Sequence, residues 1–191
     1  MSLLRTFLPE HQFSEQHQIR IAAAPGRVLD VVPQLDVHDF PLAKLFLRLR
    51  AVPAQVAALM GRQATRRIDA GFGLHDFTAL GRDGDREFAL GLVGRFWEPA
   101  GGLIRVEAND FRSFTAPGVA KLVMTFVAEP REAGTLLTTR TDIFCPDAAT
   151  RRRFTPYWLL IRIPSGLIRR MMLRRIKQLA EGGDLPLTRP E

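Results

Sequence analysis

Cysteine and lysine are scarce in this chain. One cysteine, Cys145, stands among 191 residues, and the lysines are only Lys44, Lys121 and Lys177. A single cysteine excludes a disulfide framework and a cysteine-based zinc site within one chain, and it suits a reducing compartment. We therefore expect Cys145 to be a packed apolar group in a cytoplasmic protein.

Long apolar runs are also missing. The first 13 residues contain no apolar stretch of signal-peptide length. The most apolar helical segment, Trp158 to Ile163, is interrupted by Arg162 and is far shorter than the roughly 20 residues of a membrane span. We expect one soluble domain over residues 14–181, with an N-terminal arm at 1–13 and a flexible tail at 182–191.

Motifs for metal, phosphate or nucleophilic chemistry are absent as well. No two histidines have the i,i+4 spacing of a helical metal site; they stand at His11, His17, His38 and His75. The glycines at 71–73 do not form a phosphate loop, and Ser165 does not lie in a nucleophile elbow. We expect no metal and no cofactor. The carboxylates that deserve testing for acid–base work are Glu107, Asp110 and Asp142.

Alternating apolar residues predict strands over most of the chain after residue 76. A first strand is expected at 16–23, before a helix that Pro25 opens, and two further helices at 42–49 and 54–60. Asp83-Gly84 predicts a hairpin with a type I′ turn. Further extended segments are expected at 103–107, 111–115, 119–128 and 135–144. Sequential short connections favour an antiparallel meander.

The segment after Cys-Pro-Asp predicts one long amphipathic helix, from an N-cap at Asp147 to Glu181. Its apolar stripe is expected to lie on the sheet and comprises Phe154, Tyr157, Ile161, Ile168, Met172, Ile176 and Leu179. Leu160, Ile163, Leu167 and Met171 are expected to widen this stripe. Pro164-Ser165-Gly166 predicts a kink or a break. Its purpose stays open, since the kink would either follow sheet curvature or make room for a ligand.

The expected fold class is α+β, a curved antiparallel sheet wrapped around the long C-terminal helix, which is the helix-grip arrangement. Such a sheet is expected to leave a cavity beneath the helix, although a filled core is the alternative. The expected lining is Phe88, Leu90, Leu92, Leu122, Met124, Phe126 and Thr139 from strands, and Tyr157, Trp158, Ile161 and Ser165 from the helix.

Two surface features leave alternatives open. The net charge of +7 is concentrated at 151–153 and 169–177. The second group is either a solvated face or a contact with anionic membrane, through Arg169, Arg170, Arg174, Arg175 and Lys177. Nucleic acid is not expected, because no aromatic platform accompanies these charges. Val119, Val123 and Val127 point outward, where they would form a homodimer face or lie under the N-terminal arm.

Four segments carry a resemblance to a known superfamily: GLVGRFW at 91–97, PGVAK at 117–121, LLTTRTD at 136–142 and RRRFTPYWLLI at 151–161. With the element order over residues 14–181, they resemble an uncharacterised bacterial branch of the START, Bet v1 and polyketide-cyclase superfamily, SRPBCC. That branch carries Thr-Glu-Thr-Arg on its last strand. Here Thr139-Arg140-Thr141-Asp142 stands instead, for which we expect a structural ion pair between two strands.

The resemblance implies a hydrophobic cavity between sheet and helix. Superfamily members bind lipids, sterols, polyketides or other apolar molecules, and some are enzymes. It therefore implies a binder of a hydrophobic small molecule or lipid, non-catalytic or weakly catalytic. A cyclase or dehydratase acting on a polyketide-like or aromatic substrate is the first alternative, and a peripheral membrane lipid-handling protein is the second. Fold likeness does not decide between them.

Overall fold

The computed structural model describes residues 2–35, 76–98 and 102–182. The helices predicted at 42–49 and 54–60, the glycines at 71–73, and His38 and His75 lie outside the described residues. Nearly all of the predicted C-terminal tail lies outside them too.

A six-stranded antiparallel sheet forms the body of the fold. Its strands are β1 (Phe13–Ile21), β2 (Thr78–Asp83), β3 (Glu87–Gly94), β4 (Leu103–Ile104), β5 (Ala120–Arg131) and β6 (Gly134–Phe144). They are ordered β1-β6-β5-β3-β2, and the short β4 pairs with β3. The chain meanders from β2 to β6, while β1 pairs with the last strand along the edge. The predicted antiparallel sheet is confirmed.

The β2–β3 hairpin forms where Asp83-Gly84 predicts it, but its turn is longer than expected. Asp83 remains in the strand and pairs with Glu87, so the loop is residues 84–86. Gly84 has φ of +51°, and the Arg86 N–H donates to the Asp83 carbonyl at 3.0 Å. The positive φ that glycine tolerates is therefore used in a three-residue loop rather than in a two-residue turn.

The outer face of the sheet is covered by two short helices, α1 (Leu3–Phe7) and α3 (Ala108–Phe111). Extended structure predicted at 111–115 is wrong: Phe111 ends a helical turn and is buried against β3. A Cβ on Gly91 would lie 2.5 Å from the Phe111 ring, so only glycine lets that ring approach the strand. The burial of this one aromatic ring therefore outweighs the local alternation of apolar residues that predicted a strand.

The N-terminal arm is fastened to the outer face by a buried carboxylate. Glu87 accepts hydrogen bonds from the Leu3 N–H at 2.8 Å and from the Ser2 hydroxyl at 3.0 Å, which satisfies the first turn of α1. Leu8, Val119 and Val123 are then buried in one apolar cluster. Of the two alternatives for the outward valines, Val119 and Val123 lie under the arm. The oligomeric state stays a prediction.

The inner face is covered by α2 (Pro25–Val31) and by the terminal helix α4 (Ala148–Glu181). The predicted α+β class, with a long C-terminal helix packed against the sheet, is confirmed. Asp147 caps α4 as predicted, since its carboxylate accepts from the Thr150 N–H at 2.7 Å and from the Thr150 hydroxyl at 2.6 Å. A third bond, from the Gly118 N–H at 3.3 Å, ties this cap to the turn before β5.

Two expectations for α4 are wrong, the break at Pro164 and the wide apolar stripe, whereas a kink at Pro164 stays a prediction. The helix runs for 34 residues without a break, through both Pro156 and Pro164. Packing of the helix on the sheet before and after Pro164 compensates for the backbone bond that the proline removes. Leu160, Ile163 and Leu167 do not widen the buried stripe, because they lie on the opposite side of the helix and are 76%, 76% and 47% exposed.

Replacing the cap of α4 tests how far the helix depends on it. The hydrogen bonds from Thr150 lower the pKa of Asp147 to about 2, from an ordinary value of 3.8. Asp147→Ala is expected to lower the Tm at neutral pH by about 3 °C. The cap stabilises the fold above the ordinary pKa, and this contribution is lost as the pH falls from about 4 to about 2. The measurement is thermal unfolding by circular dichroism across that range.

The exposed hairpin-turn variant Glu132→Ala is the control and should change the Tm little at any pH. A Tm difference between wild type and Asp147→Ala that stays constant down to acid pH would contradict the assignment of the cap.

Candidate functional site

The inner face of the sheet brings the predicted strand residues together in register. Phe88 pairs with Phe126, Leu90 with Met124 and Leu92 with Leu122, all across β3 and β5. Phe126 also pairs with Thr139 of β6, the strand on the other side of β5. Because paired residues of antiparallel strands point to the same face, these side chains form one continuous surface beneath α4.

The two halves of α4 pack on different parts of this surface. Its first half forms an aromatic cluster, in which the Phe154 ring lies 4.9 Å from Phe13 and 6.1 Å from Trp158. This cluster includes five of the predicted lining residues: Leu92, Leu122, Tyr157, Trp158 and Ile161. The second half of α4 packs through Met172 and Ile176 in a separate cluster. This second cluster includes the predicted lining residues Phe88, Leu90, Met124 and Phe126, and Leu122 contacts it as well.

A row of polar side chains separates the two clusters. On β1 the inner face reads Phe13, Glu15, His17, Ile19 and Ile21. On β6 the residues that pair with the first four are Ile143, Thr141, Thr139 and Leu137. The apolar ends belong to the two clusters, so Glu15, His17, Thr139 and Thr141 lie between them. Together with Arg169 of α4 we call these residues the polar band.

The charged end of the polar band lies at the edge strand β1. His17 Nε2 and Glu15 Oε1 are 2.8 Å apart, and their side chains are only 16% and 11% exposed. Burial lowers the pKa of Arg169 to about 10, and the Glu15 carboxylate opposes this by raising it. Arg169 therefore stays cationic at neutral pH, and the nearby Glu15 carboxylate favours its charged form.

Gly166 makes this approach possible. It is buried in the middle of α4, and a Cβ added to it would lie 2.8 Å from Glu15 Oε1 and 3.5 Å from His17 Nε2. The helix backbone therefore closes directly over the Glu15–His17 pair. Ser165, the one predicted lining residue from this turn, is half-buried beside it.

The inner end of the polar band carries two hydroxyls of another kind. Thr139 and Thr141 are 1% and 2% exposed. Neither hydroxyl has a hydrogen-bond partner among the residues that the structure describes. A buried hydroxyl without a partner costs about 1–3 kcal/mol. Two of them side by side on the inner face, next to a charged pair, are the feature of this fold that packing alone does not explain.

A groove leads to the polar band from the edge of the sheet. It has a volume of about 540 Å³ between β1 and α4 and is lined by Gln16, His17, Gln18, Ile19, Arg170, Leu173 and Arg174. We call it the edge groove. His17 belongs to both the groove and the polar band, so the groove meets the charged end of the band. Five of the seven lining residues are polar, and the two arginines make the groove electropositive.

The carboxylates that the sequence favoured lie elsewhere. Glu107 and Asp110 are exposed on the outer side. Asp142 is fully buried on the outer face, where it accepts from the Ser14 hydroxyl at 2.6 Å and from Arg140 Nε at 2.9 Å. The expected ion pair of the last strand is thus present, along one strand rather than across two. Burial raises the pKa of the Cys145 thiol to about 11, so it is no nucleophile at neutral pH.

Sequence reasoning missed Glu15, His17, Thr141 and Arg169. The signal was present in the alternation of β1 and β6, where Glu15 and His17 on one strand, and Thr139 and Thr141 on the other, stand between apolar residues of the same face. Within the described ranges, His, Cys, Asp and Glu side chains form no group of three that could bind a metal ion. Nor does any described helix combine the length and apolarity needed to cross a bilayer.

Comparison with known proteins adds little to this geometry. No known protein family matches the sequence, and no curated protein matches it. The crystal structure of TTHA0849 from Thermus thermophilus is similar over 87% of this chain and 91% of that chain, at 10% identity and a TM-score of 0.24. At that TM-score the likeness carries no argument about fold or function.

A double-mutant cycle tests whether α4 closes over Glu15. Gly→Ala inside a helix ordinarily stabilises a protein by about 1 kcal/mol. Here the added methyl displaces the Glu15 carboxylate from His17, so Gly166→Ala is expected to give no gain or a loss. In a Glu15→Ala background the same substitution should recover the gain of about 1 kcal/mol. Urea unfolding measures all four proteins.

Ser165→Ala is the matched control, and its effect should be the same in both backgrounds. Equal effects of Gly166→Ala with and without Glu15 would show that the helix does not close over this carboxylate.

Proposed function

We propose that this protein binds an apolar small molecule or lipid between the sheet and α4, with the polar group of the ligand at the polar band. The arrangement of sheet and helix is compatible with the helix-grip fold, which is the basis for placing the chain near the SRPBCC superfamily. A cytoplasmic location belongs to the same proposal.

The observation that carries this proposal is the pair of buried hydroxyls on Thr139 and Thr141. Threonine suits a strand, but valine would fill the same volume here without the cost of an unpaired hydroxyl. Ligand sites are mostly apolar walls with a few polar groups that fix orientation. The two hydroxyls, with aromatic and aliphatic residues on either side, have that composition.

The charges of the polar band indicate the kind of polar group that fits. Glu15 and Arg169 already compensate each other, so a further charge buried among them would be unpaired and costly. An uncharged hydroxyl or carbonyl can bond to the threonine hydroxyls without upsetting this balance. The proposed ligand is therefore an apolar molecule with a neutral polar group.

Threonine-to-valine substitution tests the proposal with a neutral fluorescent probe, 6-propionyl-2-(dimethylamino)naphthalene. Wild type is expected to bind the probe saturably, with its carbonyl accepting from the hydroxyls. Thr139→Val with Thr141→Val should weaken binding about tenfold, since each hydrogen bond contributes about 0.5–1.5 kcal/mol. The same variant should unfold at a higher temperature, because two unpaired hydroxyls have been removed. Fluorescence titration and thermal unfolding measure the two effects.

Two controls make this experiment specific. Thr138→Val alters the neighbouring, outward-facing residue of β6 and should leave probe affinity unchanged. A probe that lacks the propionyl group, 2-(dimethylamino)naphthalene, should bind wild type and the double variant equally. The proposal fails if the double variant is stabilised while its affinity for the carbonyl probe matches that of wild type.

A second candidate function, acid–base catalysis of the cyclase or dehydratase type, is favoured by one contact. Glu15 holds one ring nitrogen of His17 at 2.8 Å in a poorly solvated site, which is the way a carboxylate orients a histidine base. His17 also faces the edge groove, through which a polyketide-like or aromatic substrate would reach it. Substrate binding and this chemistry would share the same polar band.

Proton abstraction from 5-nitrobenzisoxazole is a generic assay for such a base. Wild type is expected to catalyse the elimination reaction at least tenfold faster than His17→Gln. The rate for Glu15→Gln should lie between the two. His11→Gln is the matched control, because His11 lies on the outer side near Asp142. Equal rates for wild type and His17→Gln would show that Glu15 and His17 do not act as a catalytic base.

A further inference from the structure

The outward face of α4 is apolar in its middle, which is unusual for a helix on the surface of a domain. Leu159, Leu160, Ile163 and Leu167 are 64%, 76%, 76% and 47% exposed. At about 100° per residue they fall within an arc of roughly 100°, opposite the buried Phe154, Trp158, Met172 and Ile176. We call these four residues the leucine patch. It extends for roughly 12 Å along the helix at about 1.5 Å per residue.

Arginines bracket the leucine patch at both ends. Arg152 and Arg153 precede it, Arg170 and Arg174 follow it, and all four are exposed. Arg152, Arg170 and Arg174 fall within the same arc of the helix as the patch, and Arg153 lies at its border. The helix has no acidic residue between its first residue and Glu181. Nothing on α4 itself neutralises these guanidinium groups before its last residue.

The basic residues that the sequence predicted for membrane contact lie only partly on the outward face of α4. Arg169 points to the polar band, where it interacts with Glu15. Lys177 donates to the Arg20 carbonyl at 2.9 Å and to Glu181 at 2.7 Å, so it fastens the end of α4 to β1. The outward cations therefore come from both ends of the helix rather than from its C-terminal part.

We propose that α4 docks lengthwise on an anionic lipid bilayer, with the leucine patch in the acyl boundary and the four arginines among the headgroups. A helix with apolar residues on one side and arginines around them is the form in which interfacial helices bind membranes. The patch is too short to span a bilayer, which leaves adsorption to its surface. Charge complementarity selects anionic lipid, because each arginine near such a surface favours binding about fivefold.

A second copy of the chain fits this face poorly. Two α4 helices packed antiparallel through their leucine patches would set Arg152 and Arg153 of one copy beside Arg170 and Arg174 of the other. Parallel packing would set each arginine pair beside its own equivalent. In either case four cations meet without an acidic residue on the helix between them, and like charges in contact oppose association.

Vesicle co-sedimentation of the full chain tests the proposal. Wild type is expected to bind vesicles of phosphatidylcholine with phosphatidylglycerol at least tenfold more strongly than vesicles of phosphatidylcholine alone. Binding should weaken when salt is raised from about 0.1 M to about 0.5 M, because the attraction is screened. Leu160→Ser with Ile163→Ser should lower the affinity at least fivefold, and Arg152→Gln with Arg170→Gln at least tenfold.

Arg5→Gln with Arg105→Gln is the matched control. It removes the same two charges from exposed positions that lie off α4, and it should leave binding within twofold of wild type. Circular dichroism confirms folding, and Leu159→Ser with Leu167→Ser serves as a second patch variant if the first does not fold.

Three results would overturn the proposal: no binding to anionic vesicles, equal binding to both vesicle types, or undiminished binding by both patch variants. Light scattering of the free protein decides the remaining case. A wild-type dimer that becomes a monomer in the patch variants would assign the leucine patch to a second copy, and the membrane proposal would then be wrong.

Discussion

The contact between α4 and the inner face of the sheet holds the rest of the structure in place. It is fixed at three points along a helix of about 50 Å. Asp147 joins the start of the helix to the turn before β5, and Gly166 lets its middle rest on Glu15 and His17. At its end, Glu181 accepts from the Ala22 N–H at 2.7 Å. The three points are the turn before β5, the middle of β1 and the residue after β1, so the helix cannot shift along its axis without breaking one of them.

These anchors explain why two prolines do not interrupt the helix. A proline costs about 3 kcal/mol in an isolated helix. The aromatic cluster around Phe154 holds the segment before Pro164, and the cluster around Met172 and Ile176 holds the segment after it. Burial of these side chains outweighs the backbone bonds that the two prolines remove. The glycine two residues later then serves close packing rather than flexibility.

The polar band gives this helix–sheet contact a defined position. A uniformly apolar face would let the helix slide or rotate with little loss of free energy. A charged residue on α4 that faces a carboxylate on β1 penalises such shifts, because moving Arg169 away from Glu15 leaves two charges in poorly solvated surroundings without compensation. The same residues that define the position also make the interior chemically distinctive. The side chains of the polar band would therefore both bind a ligand and fix the position of the helix on the sheet.

The fold class was open to prediction from the sequence, whereas the assembly of the polar band was not. Strands with alternating apolar residues and a capped helix are local patterns, and they gave the antiparallel sheet and α4 with their approximate bounds. The pairing of β1 with β6 joins residues more than a hundred positions apart, and only that pairing sets Glu15 beside Thr141 and His17 beside Thr139. Leu160 and Ile163 show the same limit. Their spacing from the stripe is helical, but which side of a helix meets the sheet is decided by the whole surface.

The two proposals meet at Arg170 and Arg174. These arginines line the edge groove, which leads to the polar band, and they also border the leucine patch on the outward face of α4. A helix that lay on a bilayer through that patch would hold the mouth of the groove close to the headgroups. An apolar ligand leaving the bilayer would then pass along β1 toward His17 and the threonine hydroxyls with little exposure to water. Since exposing apolar surface costs about 25 cal/mol per Å², a short path between membrane and interior lowers the barrier to transfer. One rigid helix, carrying different chemistry on its two sides, would thereby connect a lipid surface with an internal site.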